Sequence, residues 1–285
     1  MNPPPFTDPA AIERYAEGAR RNVPGHASLL SMSRILLAER VPADGRVLVI
    51  GAGGGLELEE FARHHGGWRF DGVDPSAPML DLARRHLGEL AARVHFHPGL
   101  VEQAPDGPFD GAACLLTLHF VPAAERLPMA REIRRRLRPG APLVAAHMSI
   151  EDRQRDAGMA RYAAFLVSSG GTPQQAAAAR EKVERELGPC ILSPARDEAI
   201  LREAGFGAVH PFFMGSRSGA GWPTPERPRR PPPAARSCPG RWRRPCLRRR
   251  RRWHGFRRCT PPACGRRAPP WRTRPGDRPW PGARS

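Results

Sequence analysis

The chain has 285 residues, 40% hydrophobic and 26% charged, with a formal net charge of +18. That is room for one α/β domain with additions. The charge is unevenly placed: residues 216–285 hold 21 arginines, no lysine and only two acids, Glu226 and Asp277, so residues 1–215 are close to neutral and read as an ordinary globular sequence. Met1 is followed by Asn2 and three prolines, a poor start for a secretion signal, and no apolar run nears the roughly 20 residues that span a bilayer. A membrane role is therefore excluded from the expectations, and a reducing, cytoplasmic setting is the default.

In chain order, residues 8–17 predict a helix with Asp8 as N-cap and Pro9 at the first helical position. Pro24 and Gly25 break the chain. A second helix over 26–39 carries Leu29, Leu30, Met32, Ile35 and Leu36 at helical spacing. Two roles fit these helices equally: capping a ligand pocket or covering a sheet edge. Strands are predicted at 46–50, 69–73, 93–97, 109–116, 142–147 and 207–213, with helices at 55–64, 76–87 and 123–137. Such alternation predicts a doubly wound, mostly parallel sheet with helices on both faces, and ligands at the carboxyl ends of its strands. Residues 151–205 read as three further helical stretches divided by Gly170, Gly171 and by Gly188, Pro189.

The most informative stretch is 46–55. The apolar run 47–50 has the length and branching of a buried parallel strand. Gly51, Gly53 and Gly55 follow at alternating positions where strand turns to helix. Glycine permits the sharp turn and lets a ligand lie on bare backbone, and the helix N-terminus behind it offers free N–H groups to an anion. The second strand ends in Asp74, 19 residues after Gly55, where a carboxylate can accept from two ribose hydroxyls. The pattern G-x-G-x-G lacks the third glycine at the dinucleotide spacing. Pro75 then opens a helix in which Met79 can cover an adenine face.

On these residues the chain resembles the class I S-adenosylmethionine (SAM)-dependent methyltransferases. The resemblance covers about 12–214 and is closest in layout to the branch that holds the carboxy-SAM synthases of tRNA wobble-uridine modification. It implies a Rossmann-like fold, SAM as cofactor, and cofactor contacts from Gly51, Ala52, Gly53, Gly55, Asp74, Pro75, Met79, Leu100, Val101 and Leu116. Thr117 would pass beneath the cofactor, Pro139 and Gly140 mark the turn into the fifth strand, and 151–205 would build the substrate side. His119 and Arg180 are the catalytic candidates. His119 points to substrate space from the fourth strand, and Arg180 falls about where that branch keeps a carboxylate-binding arginine. The branch usually has a tyrosine at His26 and many methyltransferases an acid at Val49. Those departures favour ordinary methyl transfer to a small molecule over carboxy-SAM synthesis. His119 and His147 have no second His or Cys at metal-ligand spacing; within residues 216–285, Cys238, Cys246, Cys259, Cys264 and His254 could suggest zinc, but the first spacing is too long and arginine crowds every position, so no metal is expected. His64, His65, His95 and His97 read as solvated or packed side chains, and residues 134–136 as an exposed arginine face.

The domain layout expected is 1–40 as capping helices, 41–215 as the SAM-binding domain, and 216–285 as a tail. The tail holds 15 prolines, and Leu247 is its only branched aliphatic residue, which leaves nothing to build a core and predicts disorder. Its arginines with Trp242, Trp253 and Phe256 could bind nucleic acid, a third reading of the function. A frameshift explains the composition better. Residues 215–225, back-translated and read two nucleotides later, permit Phe-Thr-Phe-Arg-Gly-Trp-Val-Ala-Tyr-Ala. That peptide would be the last, antiparallel strand this fold needs between its fifth and sixth strands, so the sheet of the present chain is expected to lack it.

Overall fold

A computed structural model describes residues 15–215. The expected N-cap Asp8 and the whole of 216–285 lie outside the described residues. Two helices come first, α1 (Tyr15–Asn22) and α2 (His26–Ala38). The alternating unit follows: β1 (Arg46–Ile50), α3 (Leu56–His64), β2 (Arg69–Asp74), α4 (Ala77–Leu87), β3 (Val94–Pro98), β4 (Gly111–Leu115), α5 (Ala123–Arg136) and β5 (Leu143–Ala146). Three helices complete the described residues: α6 (Arg155–Ser168), α7 (Pro173–Glu186) and α8 (Pro194–Glu203). Their starts follow from local chemistry. The Thr172 and Ser193 hydroxyls accept from the N–H of Gln175 and Arg196, and Pro173 and Pro194 occupy the first helical position.

The five strands are all parallel, in the order β3-β2-β1-β4-β5. The order reverses beside β1, so the crevice at the carboxyl ends of β1 and β4 is the switch point of the sheet. β1 is buried on both faces. Val47 and Val49 join Leu58, Phe61 and Trp68 in one cluster, while Leu48 and Ile50 join Phe109, Cys114 and Ile133 in the other. Alternating side chains on a strand sandwiched by helices require this continuous apolar run.

Two expectations are corrected. Residues 207–213 form no strand; 207–215 run irregularly past the cleft. The physical reason lies at β5, which pairs only with β4 among the described residues. Among the described residues no antiparallel strand stands between β5 and 207–213, so an extended 207–213 finds no ladder there to join. Second, residues 134–136 are not one exposed face. Arg136 is 2% exposed. It pairs with Glu132 and donates to the carbonyls of Glu102 and Ala104. An arginine stem can line the core while its head tethers the loop after β3.

The unpaired edge of β5 carries a prediction. A chain that continues after Gly215 with Phe-Thr-Phe-Arg-Gly-Trp-Val-Ala-Tyr-Ala is expected to melt several degrees above the present chain and to protect the amides of 143–146 and 208–213 from hydrogen exchange. Unchanged exchange in both segments, or a gene read in one uninterrupted frame across related strains, would count against the frameshift.

Candidate cofactor and acceptor site

The end of β1 is stitched to the end of β2. The N–H groups of Gly51 and Ala52 both donate to the Val73 carbonyl, at 2.8 and 3.0 Å. The Gly53 N–H donates to Asp74 Oδ2 at 3.0 Å, and the Ser76 N–H donates to Oδ1 of the same carboxylate at 2.8 Å. One carboxylate thus joins the glycine loop to the start of α4. Burial raises the Asp74 pKa, and the hydrogen bonds from Ser76 and Gly53 offset part of that rise.

Gly51 is required twice over. Its φ is +71°, and a Cβ there would lie 2.1 Å from Thr117 Oγ1. Thr117 in turn donates to the carbonyls of Leu115 and Ile50, which ties the end of β4 to the loop. Gly55, at φ +82°, brings α3 against α4, where a Cβ would meet Ala83 at 3.0 Å. Leu116 also has a positive φ, 55°, unusual for a side chain of this size, and its N–H donates to the Ala146 carbonyl.

These residues open onto a cleft of about 2480 Å³. It exceeds the range of about 300–1,000 Å³ usual for ligand pockets because it continues along 143–149 and past residues 206–215. Of the expected cofactor contacts, Gly51, Gly53, Asp74 and Pro75 line it, as do Met79, Leu100, Val101 and Leu116. Ala52 and Gly55 do not. Ala52 is fully buried, 3.1 Å from where a Cβ of Gly72 would be, and Gly55 packs on α4, so both shape the loop from behind. Met79 lies below the loop, its methyl 3.6 Å from the would-be Cβ of Gly53. Leu100 is 57% exposed at the rim.

Two residues missed by the sequence reading complete the loop. Tyr15 of α1 lies across it, its hydroxyl 3.3 Å from the would-be Cβ of Gly53. Burial first, then the charges of Glu57 and Asp74, raise its pKa. Glu57, on the first turn of α3, is 6% exposed. Burial pushes its carboxyl up to about 8, helped by Asp74 and opposed by its own backbone N–H. A helix in a chain of alternating elements gives no hint that one of its acids points inward. Glu57 reads in sequence like its half-buried neighbour Glu59, which pairs with Arg63.

His119 and His147 both line the cleft. Met148 N–H donates to His119 Nδ1 at 3.3 Å, which leaves the ring proton on Nε2. Burial, then His147 and Arg126, push the His119 pKa down to about 3, so the ring is neutral and presents a donor at neutral pH. His147 Nε2 is 2.8 Å from Asp197 Oδ2, and Ser149 donates to the same oxygen at 3.1 Å. Asp197 also pairs with the buried Arg126. Burial works to raise the Asp197 pKa, but the His147 hydrogen bond, the charges of His147 and Arg126 and the Ser149 hydrogen bond together lower it. Arg180 lies on α7 outside the cleft lining, paired with Glu184 and Asp156. Among the described residues no three His, Cys, Asp or Glu side chains group as a metal site, and no helix is long and apolar enough to cross a membrane.

The comparisons agree with this geometry. Residues 47–140 match the family described as a methyltransferase domain. Over 216 residues the chain is 27% identical to the carboxy-S-adenosyl-L-methionine synthase of Pseudomonas putida strain W619, covering 71% of this chain and 85% of that protein. An O-methyltransferase family protein from Burkholderia thailandensis superposes with a TM-score of 0.55 at 19% identity, covering 73% of this chain and 58% of that one. The mitomycin 7-O-methyltransferase MmcR gives a TM-score of 0.50 at 19% identity, over 70% of this chain and 52% of that one.

Gly51→Ala is expected to destabilise the chain by about 2–4 kcal/mol, because left-handed strain and the Thr117 overlap act together. Gly66→Ala, with nothing within 4 Å of the added carbon, is expected to cost no more than about 0.5 kcal/mol. Paired urea titrations check both; equal midpoints would refute the loop argument. With its glycine loop clamped to Asp74 at the switch point of a parallel sheet, the chain is similar over residues 47–140 to the methyltransferase domain family.

Proposed function

We propose that SAM lies along residues 51–55 and Asp74, and that its methyl passes to a small-molecule acceptor in the cleft between the ends of β4 and β5 and the helices of 151–205. The observation that carries the reading is the Asp74 clamp: it fixes the loop's backbone at the switch point, and Asp74 itself lines the cleft. The cradle fits the cofactor. Gly51 and Gly53 line the cleft with bare backbone, the N-terminus of α3 suits a carboxylate, and Met79 and Val101 supply apolar walls.

SAM, when bound, supplies a methyl group already activated by its sulfonium. The chain's own part is position and a dry surface for an in-line displacement. His119 contributes a hydrogen bond from Nε2–H that can orient an acceptor oxygen or nitrogen. His119 accepts at Nδ1 and so offers no free base, while His147 holds Asp197 through Nε2 and its Nδ1 is buried without a partner. Cys114 and Cys190 as free thiols support a reducing, cytoplasmic location. The layout proposed is 41–215 for the SAM-binding domain, with 151–205 on the substrate side and 216–285 as a separate tail.

Carboxy-SAM synthesis is the second reading, favoured by the Pseudomonas putida relative. The ion pairs that hold Arg180 outside the cleft count against it. Calorimetry of the full chain tests the proposal. SAM is expected to bind. Asp74→Ala should weaken it about tenfold or more, since a hydrogen bond to a charged group contributes about 1.5–3 kcal/mol, and Arg180→Ala should leave it unchanged. Absence of SAM binding, with salt-dependent RNA binding by the full chain, would replace the enzyme with a nucleic-acid-binding protein.

A further inference from the structure

Among the described residues, Ser33, His65, Arg136 and His147 keep a buried side-chain nitrogen or oxygen without a partner, and of these His147 alone lines the cleft. His147 directly follows β5, and its side chain is 9% exposed. Its Nε2 is 2.8 Å from Asp197 Oδ2 on α8. The Arg126 guanidinium and the Ser149 hydroxyl hold the same carboxylate. These partners keep Asp197 ionised, and an ionised carboxylate only accepts. The shared proton therefore belongs to His147 Nε2, and Nδ1 carries a lone pair. The two nitrogens of an imidazole face away from each other, so this lone pair is directed away from α8. A buried acceptor left unpaired is a cost to the fold, and in a cleft it marks where a ligand's donor is missing.

His119 supplies the opposite group. Its Nδ1 accepts from the N–H of Met148, the residue after His147, so its Nε2 carries a proton. A neighbouring donor and acceptor suit a ligand group that both accepts and donates. A hydroxyl does so; an ammonium only donates and a carboxylate only accepts. Tyr162 and Phe165 of α6, with Phe206 and Phe212, line the same cleft and offer faces to an aromatic ring. We propose that the methyl acceptor is a phenolic hydroxyl and that His147 is its base, with Asp197 as the positioning residue behind the ring. This rests on the methyl-transfer reading proposed above. The O–H bond breaks to His147 Nδ1 as oxygen bonds to the methyl carbon, and the C–S bond breaks with its electron pair left on sulfur. The products are an aryl methyl ether, a thioether and an imidazolium paired with Asp197, which then returns its proton to solvent.

The probe is 4-nitrophenol, whose anion is coloured. Mixed with the full chain and S-adenosylhomocysteine, in a buffer acidic enough to keep the free phenol colourless, it is expected to gain the anion's absorbance band on binding. With SAM in place of S-adenosylhomocysteine it should yield 4-nitroanisole. His147→Gln should abolish the band and lower kcat about 100-fold or more, while calorimetry shows SAM affinity changed less than twofold. A merely structural His147 would instead lose SAM affinity together with the band, which would overturn the assignment. Should the variant fail to fold, nitrogen-15 spectra of the wild-type imidazoles decide: one ring, protonated at Nε2 alone in the free chain, is expected to gain a second proton as nitrophenol binds, and no such change would overturn the proposal. If the wild-type chain binds SAM but neither colours nor methylates nitrophenol, only the His147 assignment fails; if it binds no SAM, the methyl-transfer reading fails with it.

Discussion

The Asp74 carboxylate is the joint on which the described structure depends. Its two oxygens accept the N–H groups of Gly53 and Ser76, while the Val73 carbonyl beside it accepts those of Gly51 and Ala52. Four backbone donors of the loop and the following turn are thereby satisfied by two adjacent residues. Such donors would be costly if left unpaired in a buried turn. Because they are paired sideways, to β2, the loop stays open toward the cleft. Fold stability and ligand geometry are the same hydrogen bonds here, so disturbing one disturbs the other.

The sheet shows the opposite condition at its far edge. β5 is short, and its outer side meets no strand among the described residues. The cleft widens along that edge, and 207–215 pass it without regular structure. The switch point between β1 and β4 lies one strand inward and keeps its register. The glycine loop end of the cleft is consequently framed by paired strands, while its other end borders β5 and residues 206–215. A central strand pair tolerates the loss of an outer neighbour better than the outer strand does, since its own ladders remain whole.

Polar groups inside the domain divide by whether the fold satisfies them. Arg126 and Asp197 form a buried pair that also takes up His147 and Ser149 and connects α5 to α8. Breaking such a pair is costly, although building it adds little net stability. Glu57 stands apart: it is equally buried, and burial pushes its carboxyl up to about 8.

Much of the fold was legible because its signals are local. The apolar run of β1, the alternating glycines, the helix opened by Pro75 and the turn at Pro139 and Gly140 each fix the backbone within a few residues, and the five strands fall within two residues of the predicted bounds. The positions of Gly51 and Asp74 at the ends of β1 and β2 were legible for the same reason. Three things were decided only by tertiary structure. Residues 207–213 have the composition of a strand, but a strand exists only where a neighbour accepts its ladder. Arg136 and Glu57 sit in helices whose exposed positions look the same in sequence, and only packing turned them inward. Arg180 and His119 were placed by chain position alone. The fold puts one in surface ion pairs and gives the other its tautomer through Met148, a residue 29 positions away.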